Sequence, residues 1–111
     1  MKLKEIIQLT NAQVVTGKDV DIAEILWAYS SDLMSDVLTM DLERPLLLTS
    51  LATEQAVRTA HVVGAVAVLV ANGKTPPPEM VALARKLDVP LARTALSKFD
   101  AAVALGRTLN C

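Results

Sequence analysis

The chain has 111 residues, of which 52% are hydrophobic and 21% are charged, and its formal net charge is -1. This length suits one domain over residues 1–111, and the apolar content excludes an intrinsically disordered chain. The near-neutral charge and the 3% of aromatic residues favour neither nucleic acid nor an anionic membrane as a partner.

The first half of the chain predicts two helices and two strands, from hydrophobic spacing and from β-branched or aromatic content. In chain order these are a helix over 2–10, strands over 13–15 and 25–29, and a helix over 33–40. Ser31 and Asp32 stand just before the second helix, where their oxygens can accept backbone N–H groups of the first turn. We therefore expect both to act as capping residues.

The second half contains two apolar runs without polar alternation, 46–49 and 66–70, which are typical of parallel strands covered on both faces. The other segments are a helix over 53–63, a helix from Pro77 or Pro78 to Asp88, a strand over 89–92 and a helix capped by Ser97. Pro90 places its strand at a strand start or a sheet edge. The alternation of strands and helices predicts an α/β fold with a mostly parallel sheet.

Three segments together resemble the DRTGG domain and the N-terminal domain of HPr kinase/phosphorylase. They run from Tyr29 to Asp36, from Val66 to Gly73, and from Arg93 to Phe99. The resemblance covers nearly the whole chain and implies a three-layer fold like that of the N-terminal domain of Mur ligases. The chain departs from the family at Asn72-Gly73-Lys74, where a second glycine is common, and at 50–53, which lacks the polar signature of hydrogenase-linked members.

The resemblance also implies a kind of function. Such domains occur in phosphotransacetylases, in front of HPr kinase and between the CBS domains of regulatory pyrophosphatases. It therefore implies a non-catalytic regulatory module that senses a nucleotide-like or other anionic ligand. The alternative is an accessory protein partner in a larger redox complex, of the iron-only hydrogenase type, or in a phosphotransfer system.

No catalytic set is evident in the sequence, and we predict that the protein is not an enzyme. A P-loop ending at Gly73-Lys74-Thr75 would need glycine at Val68, and the prolines at 76–78 remove backbone N–H donors. Asp32 and Asp36, at i and i+4, could share a helix face and hold Mg²⁺ in a small phosphohydrolase. Helix capping is the favoured interpretation of this pair.

The chain has one cysteine, Cys111, and one histidine, His61. These exclude an intrachain disulfide and the usual four-ligand zinc site, so we predict no metal and no cofactor. The cysteine usage fits a cytoplasmic protein. We expect His61 to be a packed or interface residue and Cys111 to be an incidental terminal residue.

Ligands of open parallel sheets lie beyond the carboxyl ends of the strands. The candidate ligand-binding residues at those positions are Ser31, Asp32, Thr49, Asn72, Gly73, Arg93 and Thr94. Helix starts near Ser31 and Pro77 would offer N–H groups to an anion, and Arg93 could grip a phosphate or carboxylate as a fork. The alternative is that these are solvated loop residues, with Arg93 in a surface ion pair.

Spare hydrophobic surface is expected on a small domain of this composition. Phe99, Val103, Leu109 and the run 46–48 are candidates for a self-association patch. A two-fold homodimer is the expected assembly.

Overall fold

A computed structural model describes residues 1–109, and its five strands form one sheet. The elements in chain order are α1 (Leu3–Leu9), β1 (Gln13–Thr16), β2 (Trp27–Ser30), α2 (Met34–Val37), β3 (Pro45–Thr49), α3 (Glu54–Val62), β4 (Ala67–Val70), α4 (Pro78–Leu87), β5 (Leu91–Arg93) and α5 (Lys98–Leu109). The strand order is β1-β5-β4-β3-β2. Strands β2 to β5 are parallel, and β1 is antiparallel to β5. The predicted α/β fold with a mostly parallel sheet is confirmed.

Helices cover both faces of the sheet, so the fold has three layers. Alternate residues of a strand point to opposite faces, and β3 shows the result. Leu47 packs in the cluster under α2, α3 and α4, whereas Leu46 and Leu48 pack with α1 and α5. Every residue of β3 and β4 is buried, which explains why their sequences show no polar alternation.

Most predicted elements are confirmed to within a few residues, and the exceptions have local causes. α2 is a single turn, because only Met34 and Val37 are buried while Leu33 and Leu38 are exposed. Pro90 lies just before β5, at a strand start as expected, and β5 lies inside the sheet between β4 and β1. Ser97 caps α5, since its Oγ accepts the N–H of Asp100 at 3.0 Å.

The turn after β1 depends on a glycine. Gly17 has φ +142°, and a Cβ atom there would lie 2.8 Å from Cα and Cβ of Pro90. Any side chain would therefore push against the residue that leads into β5, in a backbone conformation that L-residues rarely adopt. This close approach sets β1 beside β5 at the amino ends of the parallel strands.

Part of the predicted self-association patch is wrong. Residues 46–48 are fully buried, because β3 is a central strand covered by helices. Phe99 and Val103 remain exposed on α5, by 75% and 38%, and Leu109 is half-buried. His61 is exposed on α3, so it is not packed in the core, and the alternative of an interface residue stays a prediction. Cys111 lies outside the described residues.

None of the helices within residues 1–109 is long and apolar enough to cross a membrane.

Candidate functional site

Asp32 lies just beyond the end of β2 and makes hydrogen bonds to the end of β3. Its Oδ1 accepts the hydroxyl of Thr49 at 3.0 Å and the backbone N–H of Ser50 at 2.7 Å. Its Oδ2 accepts the Ser50 hydroxyl and forms an ion pair with Lys98 Nζ at 3.1 Å. One carboxylate therefore joins the ends of two strands to the first residue of α5.

These donors determine the ionisation of Asp32. Partial burial by itself would raise the pKa of the carboxyl group. The hydroxyl and N–H of Ser50, the ammonium of Lys98 and the hydroxyl of Thr49 act in the opposite sense and prevail. Together they hold the pKa of Asp32 well below its usual range, so the group is a carboxylate at neutral pH and a weak base.

The prediction that Asp32 caps α2 is wrong. The residue before the helix is Leu33, and no side chain caps the first turn. Ser31 does bond locally, since its Oγ accepts the N–H of Leu33 at 3.1 Å. Asp32 precedes the helix that contains Asp36, so the two carboxylates do not share a helix face as an i, i+4 pair.

Two lysines that the sequence analysis did not select belong to this cluster. Lys74 Nζ donates to the carbonyl oxygen of Ser50 at 2.7 Å, while Lys98 pairs with Asp32. Both ammonium groups thus converge on the Asp32–Ser50 pair, one from the loop after β4 and the other from the start of α5. The backbone N–H of Lys98 donates to Asn72 Oδ1 at 2.9 Å, which ties the start of α5 to the loop after β4.

Arg93 holds the loop that follows β4. Its Nε donates to the carbonyl of Lys74 at 3.1 Å, and a terminal nitrogen donates to the carbonyl of Gly73 at 2.8 Å. The other terminal nitrogen donates to Gln13 Oε1 at 3.1 Å. Arg93 therefore bonds to neutral acceptors, in place of the surface ion pair that was the alternative expectation. Two of the five N–H donors of its guanidinium are not used by these three bonds.

The backbone of the loop after β4 offers no cradle for a phosphate. The N–H groups of Asn72 and Gly73 donate to the carbonyls of Leu96 and Thr94 at 2.7 and 3.0 Å. The N–H of Lys74 donates to Ala71 at 3.4 Å. The N–H of Gly73 is thus already bonded within the fold, and an anion at this edge would be bound by side chains.

Thr94 has a structural role. It is buried, its hydroxyl donates to the carbonyl of Thr10 at 2.7 Å, and its Oγ1 accepts the N–H of Leu96 at 3.2 Å. Thr49 is likewise buried. Its hydroxyl donates to Asp32 Oδ1, and its oxygen accepts the N–H of Leu51. These two threonines support the site from within the fold.

The site that results is a group of charged side chains at the carboxyl edge of the sheet. Its accessible members are Asp32, Lys74, Arg93 and Lys98, and Asn72 bonds to the backbone of Lys98. The strand-end rule indicated Asp32, Asn72 and Arg93. It would have indicated Lys74 and Lys98 had it included every residue of the loop after β4 and the first residue of the helix after β5. Within the part of the chain that the structure describes, no three His, Cys, Asp or Glu side chains lie together as a metal-binding group.

Comparison with known proteins identifies a similar fold. The regulatory region of a Clostridium perfringens pyrophosphatase, which contains CBS and DRTGG domains and was crystallised with the activator diadenosine tetraphosphate, matches with a TM-score of 0.76 at 14% identity. The match covers 94% of this chain and 45% of that region, so the chain spans about half the length of its neighbour. No protein-family model matches the sequence, and no curated protein is similar to it. The likeness supports a DRTGG-like fold.

Proposed function

We propose that this domain is a non-catalytic regulatory module that binds a nucleotide-like anion at the carboxyl edge of its sheet. The observation that carries the proposal is the convergence of Lys74 and Lys98 on the Asp32–Ser50 pair, with Arg93, at the end of β5, bonded to the loop that contains Lys74. Lys98 pairs with the Asp32 carboxylate, Lys74 bonds to the Ser50 carbonyl, and Arg93 bonds to the carbonyls of Gly73 and Lys74. This edge of the sheet therefore carries three cations and one carboxylate of the site, an excess of positive charge.

The donors needed for an anion remain available. Hydrogen bonds among residues 1–109 use one N–H of each ammonium group and three of the five N–H groups of Arg93. Charge-assisted bonds to phosphate oxygens are stronger than bonds between neutral groups, so the remaining donors favour a phosphate-bearing ligand. Lys98 can exchange Asp32 for such a ligand, because both groups of the ion pair are partly exposed.

The chemistry of the site favours binding over catalysis. A general base must have a pKa close to the working pH, and the pKa of Asp32 lies far below it. The Ser50 hydroxyl donates to this weak base and is buried, which disfavours a role as a nucleophile. The structural neighbour is also a regulatory region, and the ligand it was crystallised with is a nucleotide activator.

Thermal unfolding of the full chain tests the proposal. The ligands are ATP, GTP, ADP and diadenosine tetraphosphate, each with and without Mg²⁺. A ligand at about 100 times its Kd should stabilise the fold by roughly 2.7 kcal/mol, which for this length is a shift of several degrees. Lys74→Met and Lys98→Met should each weaken binding by about tenfold or more, because each removes a charged donor.

Matched variants show whether a lost thermal shift reflects a specific binding site or only the removal of one positive charge. Lys86→Met removes the same charge from an exposed position on the last turn of α4, at the other edge of the sheet, and should leave the ligand shift unchanged. Arg93→Ala should weaken binding and also loosen the loop after β4. A panel without any shift, or a shift that survives both substitutions of site lysines, would refute the proposal.

A further inference from the structure

The two outer strands of the sheet differ in how they are protected. Within residues 1–109, Trp27–Ser30 make backbone hydrogen bonds only to β3, so the other side of β2 is unpaired. The segment 25–31 contains neither a charged residue nor a proline, the usual protections of an exposed edge. At the opposite side of the sheet, β1 carries an irregularity between Val14 and Thr16 that interrupts its pairing.

We propose that β2 pairs with β2 of a second copy of this chain, antiparallel and across a two-fold axis, so that two five-stranded sheets become one. A free strand edge is self-complementary in this orientation, because each copy offers the same row of N–H and C=O groups. The axis stands perpendicular to the sheet, so equivalent helices of the two copies meet on the same face.

The chain itself defines the length of the new ladder. Lys2 already pairs with Glu24, and the carbonyl of Met1 accepts the N–H of Ile25 at 2.7 Å. Pairing between copies is therefore confined to Trp27–Ser30, with Ala28 or Tyr29 opposite its own copy at the two-fold axis. Four residues are too few to hold a dimer alone, so side chains beside the edge must contribute most of the stability.

Helix α5 provides an apolar surface beside this edge. A groove of about 190 Å³ lies where α5 packs on β2, lined by Ala28, Ser30, Leu48, Ala102, Leu105 and Gly106. Phe99 and Val103 border it, since each stands three positions before a lining residue of the helix, Ala102 and Gly106 respectively. The two-fold axis brings both copies of α5 together above the joined edge, where these exposed side chains can pack.

The charges at the two ends of β2 suit an antiparallel copy. Glu43 and Arg44 stand just before β3 at the amino end, and Asp32 pairs with Lys98 at the carboxyl end. Antiparallel pairing places the amino end of one copy, which carries Glu24, Glu43 and Arg44, near the carboxyl end of the other, which carries Asp32 and Lys98. The strand between them is uncharged, so its self-pairing meets no electrostatic repulsion.

Sedimentation equilibrium on the full chain, in reductant because of Cys111, measures the proposed dimer. The double substitution Phe99→Glu and Val103→Glu should raise the dimer Kd by at least about 30-fold, because it places four like charges at the two-fold axis. Val62→Glu is the matched control, since Val62 is exposed on α3, away from β2, and the control should dimerise like the wild type. A wild type that stays monomeric, or a dimer unaffected by the double substitution, would overturn the proposal.

Amide hydrogen exchange of the wild type locates the dimer interface without any substitution. Protection of Trp27–Ser30 should increase with protein concentration, while that of β1 should not change. Concentration-dependent protection that appears at β1 or α3 and leaves β2 unchanged would assign the interface elsewhere and refute this one. Nucleotide binding at the strand ends is measured separately, so either proposal can fail without the other.

Discussion

At the carboxyl edge of the sheet the loops combine left-handed turns at Asn72 and Gly73 with several side-chain hydrogen bonds, whereas at the amino edge they turn mainly through left-handed backbone conformations. Asp32, Asn72 and Arg93 each bond from the end of one strand to a neighbouring segment. At the amino edge, Arg44, Gly64 and Asp88 have φ of 49°, 72° and 57° shortly before β3, β4 and β5.

The difference between the two edges has a functional meaning. A left-handed backbone turn depends on φ and ψ alone, so it contains no side-chain hydrogen bond that a ligand could replace. Side-chain bonds can be exchanged, because an ammonium that pairs with a carboxylate can pair with a phosphate instead. This difference is why the proposed ligand site is assigned to the edge with the side-chain bonds.

The largest effect is expected at the amino edge, from Gly17→Ala. The new Cβ would meet Pro90 at 2.8 Å in a disfavoured conformation, which should lower the free energy of unfolding by about 3 kcal/mol. Gly64→Ala is the control, because Gly64 also has positive φ but nothing within 4 Å, and it should cost only about 1 kcal/mol. Urea unfolding measures both values, and equal losses would show that the contact with Pro90 is unimportant.

A smaller effect is expected from Thr94→Val, the test of a buried bond at the carboxyl edge. The change removes the donor to the Thr10 carbonyl and the acceptor of the Leu96 N–H, at nearly constant volume. We expect a loss of about 2 kcal/mol in urea unfolding. Thr75→Val, at an exposed position of the same edge, should change stability by less than about 0.5 kcal/mol. A similar result for both variants would show that the edge does not depend on the buried bonds.

The smallest effect is expected from Asp32→Asn, about 1 kcal/mol at neutral pH, because the carboxylate is 42% exposed and solvent screens its ion pair. Its pKa is lowered in the folded state, so its contribution is complete above the unfolded pKa of about 3.9. The contribution decreases as pH falls below that value towards the folded pKa. Urea unfolding of both proteins from pH 7 to pH 2 should therefore show a difference that is constant above about pH 5 and shrinks below pH 4. Asp36→Asn is the control, and a similar pH profile for it would contradict a special role for Asp32.

The central strands could be predicted from the sequence because burial on both faces leaves a continuous apolar run. β3 and β4 begin within one residue of the predicted positions. The length of α2 could not be predicted in the same way, since its leucines at 33 and 38 suggested a longer apolar helix and both are exposed. Which apolar side chains are covered depends on packing between distant elements, and spacing within one segment does not determine it.

The candidate site was predicted in its location and only partly in its contacts. The position of strand ends is a property of topology, so Asp32, Asn72 and Arg93 could be selected from the order of elements. The partner of Asp32 could not, because local rules favoured a cap within its own loop and the actual partner is Ser50, 18 positions away. Long lysine side chains add to the difficulty, since they reach across loops that are separate in sequence.

The position of β1 has a consequence for the order in which the protein folds. Gln13 pairs with Arg93, a separation of 80 residues, whereas β2, β3, β4 and β5 follow one another across the sheet. Contacts between distant segments carry the greater entropic cost of closing a long loop. During synthesis the four parallel strands can pair in order as they emerge, whereas β1 cannot pair until β5 has been made. The segment made first is therefore expected to join the sheet last.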